Sequence, residues 1–150
     1  MKSCHNLSVR VFAKQDDDEE RIKETLANLF PFPLNDETEK VHLERTVATG
    51  VDEQSRIIIY EINLTKDRHI NAFLEKLSAA LSEEQKALLI RQTNRLDDNH
   101  YFFLRLDKRK LMDGIYWLTD SGDCFHIRMC IATYPKNREN CYAVVKQIFK

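Results

Sequence analysis

Glycine is scarce in this chain, with three residues in 150. A loop that cradles phosphate on backbone N–H groups needs several glycines close together, so nucleotide binding of the Gly-rich-loop type is excluded. The four cysteines, Cys4, Cys124, Cys130 and Cys141, form no Cys-x-x-Cys pair. That removes the common zinc-knuckle and dithiol-redox patterns. No uncharged apolar run approaches the roughly 20 residues of a membrane-spanning helix. The first apolar run is broken by Arg10 and followed at once by Asp16 to Glu20, so no signal peptide is expected. The expectation is a cytoplasmic protein with reduced, mostly buried thiols, no cofactor, no metal and no membrane partner.

Hydrophobic residues make up 43% and charged residues 31% of the chain, the balance of a globular protein. A length of 150 residues suits one domain, spanning 1–150, with a substantial core. The net charge of −1 is unevenly spread. Residues 1–99 carry 14 Lys+Arg against 19 Asp+Glu, a net of −5, whereas residues 100–150 carry 9 against 5, a net of +4. An anionic partner is therefore expected on the C-terminal third.

Residues 6–13 alternate apolar and polar, as a strand does. Asp16 to Asp18 cap a helix from about Asp17 to Phe30, with a stripe of Ile22, Leu26, Leu29 and Phe30, and Pro31 and Pro33 stop it. A strand is expected over 39–49, a polar hairpin-like connection over 50–55, and a β-branched strand over 56–64. Thr65 or Asp67 caps a helix with Ile70, Phe73, Leu74, Leu77 and Leu81 at helical spacing. Ser82-Glu83-Glu84-Gln85 opens a shorter one. Then follow a strand 100–106, a basic helical turn 107–113, a strand 115–119 in a hairpin with a strand 124–134, and a closing helix 136–150. The resulting expectation is α+β: a mostly antiparallel sheet of about six strands with helices packed on one face.

Helices on one face leave the other open, and the pleat decides what lies there. Leu7, Val9 and Val11, with Phe102, Leu104 and Leu106 and with Phe125, Ile127, Met129 and Ile131, belong to the core. The opposite face then presents Arg10 beside Phe12, Tyr101 and Phe103 beside Arg105, and His126 beside Arg128. Lys108, Arg109 and Lys110 would extend this basic surface past one strand end, and Lys136 and Arg138 past another. Cations that neutralise phosphate, interleaved with flat rings that stack on unpaired bases, are what a nucleic-acid surface requires. Reversing charge at Arg105 and Lys108 is then expected to remove RNA retention at little cost in stability.

Other readings attach to the same residues. The face is also that of a solvated sheet, with Glu44, Glu61 and Asp107 pairing the arginines, and it suits a protein adaptor or homodimer interface. Cys124, His126 and Cys130 share a strand face, but match no common zinc spacing. Cys141 with His100 as base has no supporting local motif. Trp117, in a short alternating segment, reads as packing.

Several segments, taken in order, resemble a known family. They are His5-Asn6-Leu7-Ser8-Val9-Arg10-Val11-Phe12, Asn28-Leu29-Phe30-Pro31, Leu81-Ser82-Glu83-Glu84, Tyr101 to Lys108, and Ile131 to Glu139. The family is that of small archaeal RNA-binding proteins described as exosome-associated subunits. Their α+β fold is compared with double-stranded-RNA-binding domains and with the ribosomal protein that holds 5S RNA. The resemblance implies RNA binding without catalysis, in an RNA-processing or degradation complex. The candidate RNA contacts are Arg10, Arg105, Lys108, Arg109, Lys110, Arg128, Lys136 and Arg138.

Overall fold

The computed structural model describes residues 2–48 and 56–150, so the connection expected over 50–55 lies outside the described residues. Five strands form one fully antiparallel sheet: β1 (Cys4–Ala13), β2 (Leu43–Ala48), β3 (Ile57–Leu64), β4 (Tyr101–Asp107) and β5 (Cys124–Ile131), in the order β2-β3-β1-β5-β4. Among the described residues, five α-helices accompany it: α1 (Glu19–Leu29), α2 (Asp67–Ala80), α3 (Glu83–Arg91), α4 (Lys108–Met112) and α5 (Arg138–Ile148). The class is α+β, as expected.

Four helix starts follow local chemistry, whereas α2 begins after Lys66 with no side-chain cap, so the cap expected at Thr65 or Asp67 does not form. Asp18 accepts from the backbone N–H groups of Glu20 and Arg21, Ser82 from Gln85, Asp107 from Lys110 and Asn137 from Asn140. Each of the longer helices then turns its apolar stripe to the sheet. Ile22, Leu26 and Leu29 of α1, Ile70, Phe73, Leu74 and Leu77 of α2, and Cys141 and Val145 of α5 are buried with the inward residues of the strands. Leu104, in the middle of β4, is fully buried; truncating such a residue to Ala costs about 2–5 kcal/mol.

Two expected elements differ. Residues 115–119 are no sixth strand and make no hairpin with β5, because both edges of β5 are already taken by β1 and β4. The segment instead lies along the outer edge of β4. Asp107 N donates to Trp117 O at 2.8 Å, Thr119 N donates to Arg105 O at 3.0 Å, and Leu118 N turns away to the buried Gln85 Oε1 at 2.7 Å. The second difference is β2, which begins at Leu43 rather than near residue 39. Asn35 N bonds Val41 O and Lys40 N bonds Asp36 O, so a closed turn consumes the backbone that a longer strand would need. The Glu39 carboxylate in that turn holds the buried His69 at 2.7 Å and Arg68 at 2.9 Å.

Among the described residues no helix is long and apolar enough to cross a membrane.

Candidate nucleic-acid interface

Strand register decides the site. One row of direct cross-strand partners crosses the sheet on the side away from the helices: Glu44, Glu61, Arg10, His126, Arg105. Neighbouring strands lie about 4.8 Å apart, so Arg10 and Arg105 stand roughly 10 Å apart at the backbone with His126 between them. The next row in the same direction brings Ser8, Arg128 and Phe103 together, and the one after it Asn6, Cys130 and Tyr101. The arginines expected on three strands thus meet on one face, and all three are exposed. The row also has a sign: its acids lie over β2 and β3, its arginines over β1 and β4.

The cations are held by weak, exchangeable partners. Arg10 donates from Nε at 2.9 Å and Nη2 at 2.7 Å to one oxygen of Glu61. Such an exposed pair contributes about 0–1 kcal/mol. The Arg128 guanidinium lies 3.9 Å from the Tyr101 ring centre and 5.9 Å from that of Phe103, which orients it while leaving its N–H groups for an anion. Arg105 Nη1 donates to Asp120 O at 3.2 Å. Phe103 and His126 lie with ring centres 5.5 Å apart. Partial burial, and then the charges of Arg105, Arg10 and Arg128, hold the His126 imidazole below the usual histidine range. The ring is therefore neutral at pH 7.

The remaining candidates disperse. β4 and β5 are antiparallel, so the turn after β4 and the turn after β5 lie at opposite ends of the sheet, roughly 20 Å apart by strand rise. Arg109 and Lys110 are exposed at the first end, with the Lys110 ammonium 4.6 Å from the centre of the Trp117 ring. Trp117 is 42% exposed and so is not the packed residue expected. Lys136 is exposed at the other end. Arg138 is exposed there too, but its guanidinium is committed: Nη1 donates to Leu96 O at 2.9 Å and Nη2 to Thr93 O at 2.8 Å.

Lys108 departs furthest from expectation. It is 3% exposed, and its ammonium donates to Phe12 O at 2.7 Å, Asp17 Oδ2 at 3.0 Å and Asp123 Oδ1 at 2.7 Å. All three N–H groups have acceptors, so nothing remains for a phosphate. Hydrogen bonding from Lys108 holds the Asp123 carboxyl below its usual range. Lys108 is an internal tie between the end of β1, the approach to α1 and the turn before β5.

Arg95 was not among the residues expected from the sequence. It sits in a single 3-10 turn (Thr93–Arg95) with no periodicity to mark it, yet its largely buried side chain lines a cleft with Phe103, Arg105 and His126. The cysteine readings gain no support. Among the described residues no group of three or more His, Cys, Asp or Glu side chains, Cys124, His126 and Cys130 included, is arranged to hold a metal. Burial pushes the Cys141 thiol up, which disfavours the thiolate a nucleophile needs.

Comparison with known proteins gives this face a context. A family model described as RNA binding matches residues 6–131. The chain belongs to that family. An RNA-binding protein of Pyrococcus abyssi is 29% identical over 146 residues, 97% of this chain and 91% of that one. The structure of a DUF54 protein from Methanothermobacter thermautotrophicus superposes with a TM-score of 0.76 at 27% identity, covering 99% of this chain and all of the other. A protein from Archaeoglobus fulgidus shares the fold, with a TM-score of 0.78 at 24% identity over 99% of each chain.

Proposed function

We propose that this protein is one non-catalytic domain that binds RNA through the open face of its sheet. Arg10, Arg105 and Arg128 engage phosphates, Tyr101 and Phe103 offer ring surface between them, and Arg109, Lys110 and Lys136 extend the track beyond the two strand ends. The observation that carries the reading is the register row that brings Arg10, His126 and Arg105 side by side in a chain of an RNA-binding family, with both arginines exposed. Phosphate contacts position a nucleic acid without reading its sequence, so recognition is governed mainly by backbone and shape. The reading extends to an accessory place in a cytoplasmic RNA-processing or degrading assembly such as the exosome, and to the family's likeness to duplex-RNA-binding and 5S-RNA-binding folds.

A salt titration of RNA affinity tests it. Removing one phosphate-binding cation lowers the slope of log K against log salt by about 0.7–0.9. Arg105→Glu with Arg128→Glu should weaken binding at least about 100-fold, since two attractions become repulsions, with the thermal midpoint nearly unchanged. Wild-type affinity in that double variant, or wild-type binding indifferent to salt, would assign the face to a protein partner or a second copy of the chain instead.

A further inference from the structure

We propose that the cleft beside β4 receives one unstacked nucleobase, so that the protein prefers single-stranded or locally unpaired RNA to continuous duplex. The proposal rests on the RNA-binding reading and names the kind of RNA. The cleft has a volume of about 480 Å³, within the roughly 300–1,000 Å³ of small-ligand sites. Phe103 and His126 form one wall, their rings tilted 36° to each other. An imidazole beside a phenyl ring offers a flat stacking surface.

The 3-10 turn and Gln92, which precedes it, supply more of the lining. The Arg95 side chain is only 10% exposed, and its Nε donates to Gln92 Oε1. That bond engages the oxygen of the Gln92 amide, and Gln92 lines the cleft, so its NH₂ is the donor left for a ligand. Asp120, whose side chain is 93% exposed and lies 3.8 Å from Arg95 Nη2, places a carboxylate at the mouth. Donors inside, an acceptor at the rim and flat rings along one side match the edges and faces of a base. Arg105 stands at the same mouth and continues the phosphate row toward His126 and Arg10, so a strand tracking that row passes the opening. A base stacked within a duplex presents only its groove edges and cannot enter; a splayed base can.

The test compares a short labelled RNA with an abasic ribose-phosphate oligomer of equal length, and with the same RNA annealed to its complement. Both single strands offer the same phosphates. The RNA should bind about tenfold more tightly than the abasic oligomer, the size expected of one stacked base, and more tightly than the duplex. Phe103→Leu, which keeps apolar bulk but removes the flat ring, should close most of the gap between RNA and the abasic oligomer. Gln92→Ala should narrow the gap in part. Equal wild-type affinity for RNA and abasic oligomer overturns the base site and leaves the phosphate reading standing. Failure of both oligomers to bind overturns both. The wild-type comparison needs no variant, so a misfolded substitution cannot obscure the result.

Discussion

The open sheet face and the pocket beneath the start of α4 both gather basic side chains, yet they treat charge in opposite ways. On the face, Arg10, Arg105 and Arg128 are exposed and lean on replaceable partners, namely one carboxylate, one carbonyl and two rings. In the pocket, Lys108 is enclosed and its three donors are met by Phe12, Asp17 and Asp123. Arg105 and Lys108 are three residues apart on one basic stretch. The difference is supplied by what surrounds them: water over one, three acceptors from remote segments around the other. A cation in water keeps its capacity to bind a new anion, whereas a cation sealed among acceptors stabilises the fold and binds nothing further.

The largest expected effect separates these roles. Lys108→Met removes the shared partner of Phe12 O, Asp17 and Asp123; the carboxylates keep some solvent and Asp17 keeps the Lys14 N–H, so the cost is about 1–3 kcal/mol. Denaturant unfolding measures it, and Arg105→Met provides the contrast, at within about 0.5 kcal/mol for an exposed site. Comparable costs at the two positions would erase the distinction. Charge reversal at Lys108, which the sequence alone suggests would spare stability, should therefore fail in the unfolding experiment before any RNA is added.

Next in size is a gain. Glu61→Gln frees Arg10 from its ion pair and removes the acid beside it in the row. RNA affinity at low salt should rise by up to about fivefold, the equivalent of an exposed pair, and Arg10→Ala on that background should abolish the rise. A fall in affinity would mean that Glu61 orients Arg10 instead of competing for it.

The smallest effect is in pH. His126 is held neutral by burial and by three arginines, and a bound phosphate would offset those charges. Binding then takes up a proton, and affinity should rise a few-fold as pH falls from 7 towards 5.5, more steeply than in His126→Gln. Stability has the opposite sign. The folded state binds a proton at His126 less readily than the unfolded chain does, so its contribution is complete above the ordinary histidine value near 6.5 and is lost as pH falls below it. Affinity that is flat with pH in both proteins would place the phosphates away from this ring.

Much of this molecule is written locally. Period-two alternation assigns the residues of β1, β4 and β5 to the core or the open face without any partner strand, because the pleat is a property of one strand. Helix stripes and the caps at Asp18 and Ser82 are equally local. What the chain alone leaves undecided is pairing. That Arg10 meets His126 and His126 meets Arg105 follows from the order β1-β5-β4, which brings distant stretches of chain together. The same holds for the burial of Lys108, two of whose acceptors lie 91 and 96 residues away, and for residues 115–119, which read as a strand but find β5 already paired on both sides. Arg95 belongs here too: nothing in Thr93-Asn94-Arg95 marks it, and only the packing of its turn against β4 brings it to the cleft. Composition and alternation determined that this chain has a basic, aromatic-bearing sheet face; tertiary structure decided which cations share that face and which are consumed inside, because solvation depends on neighbours that only the folded topology supplies.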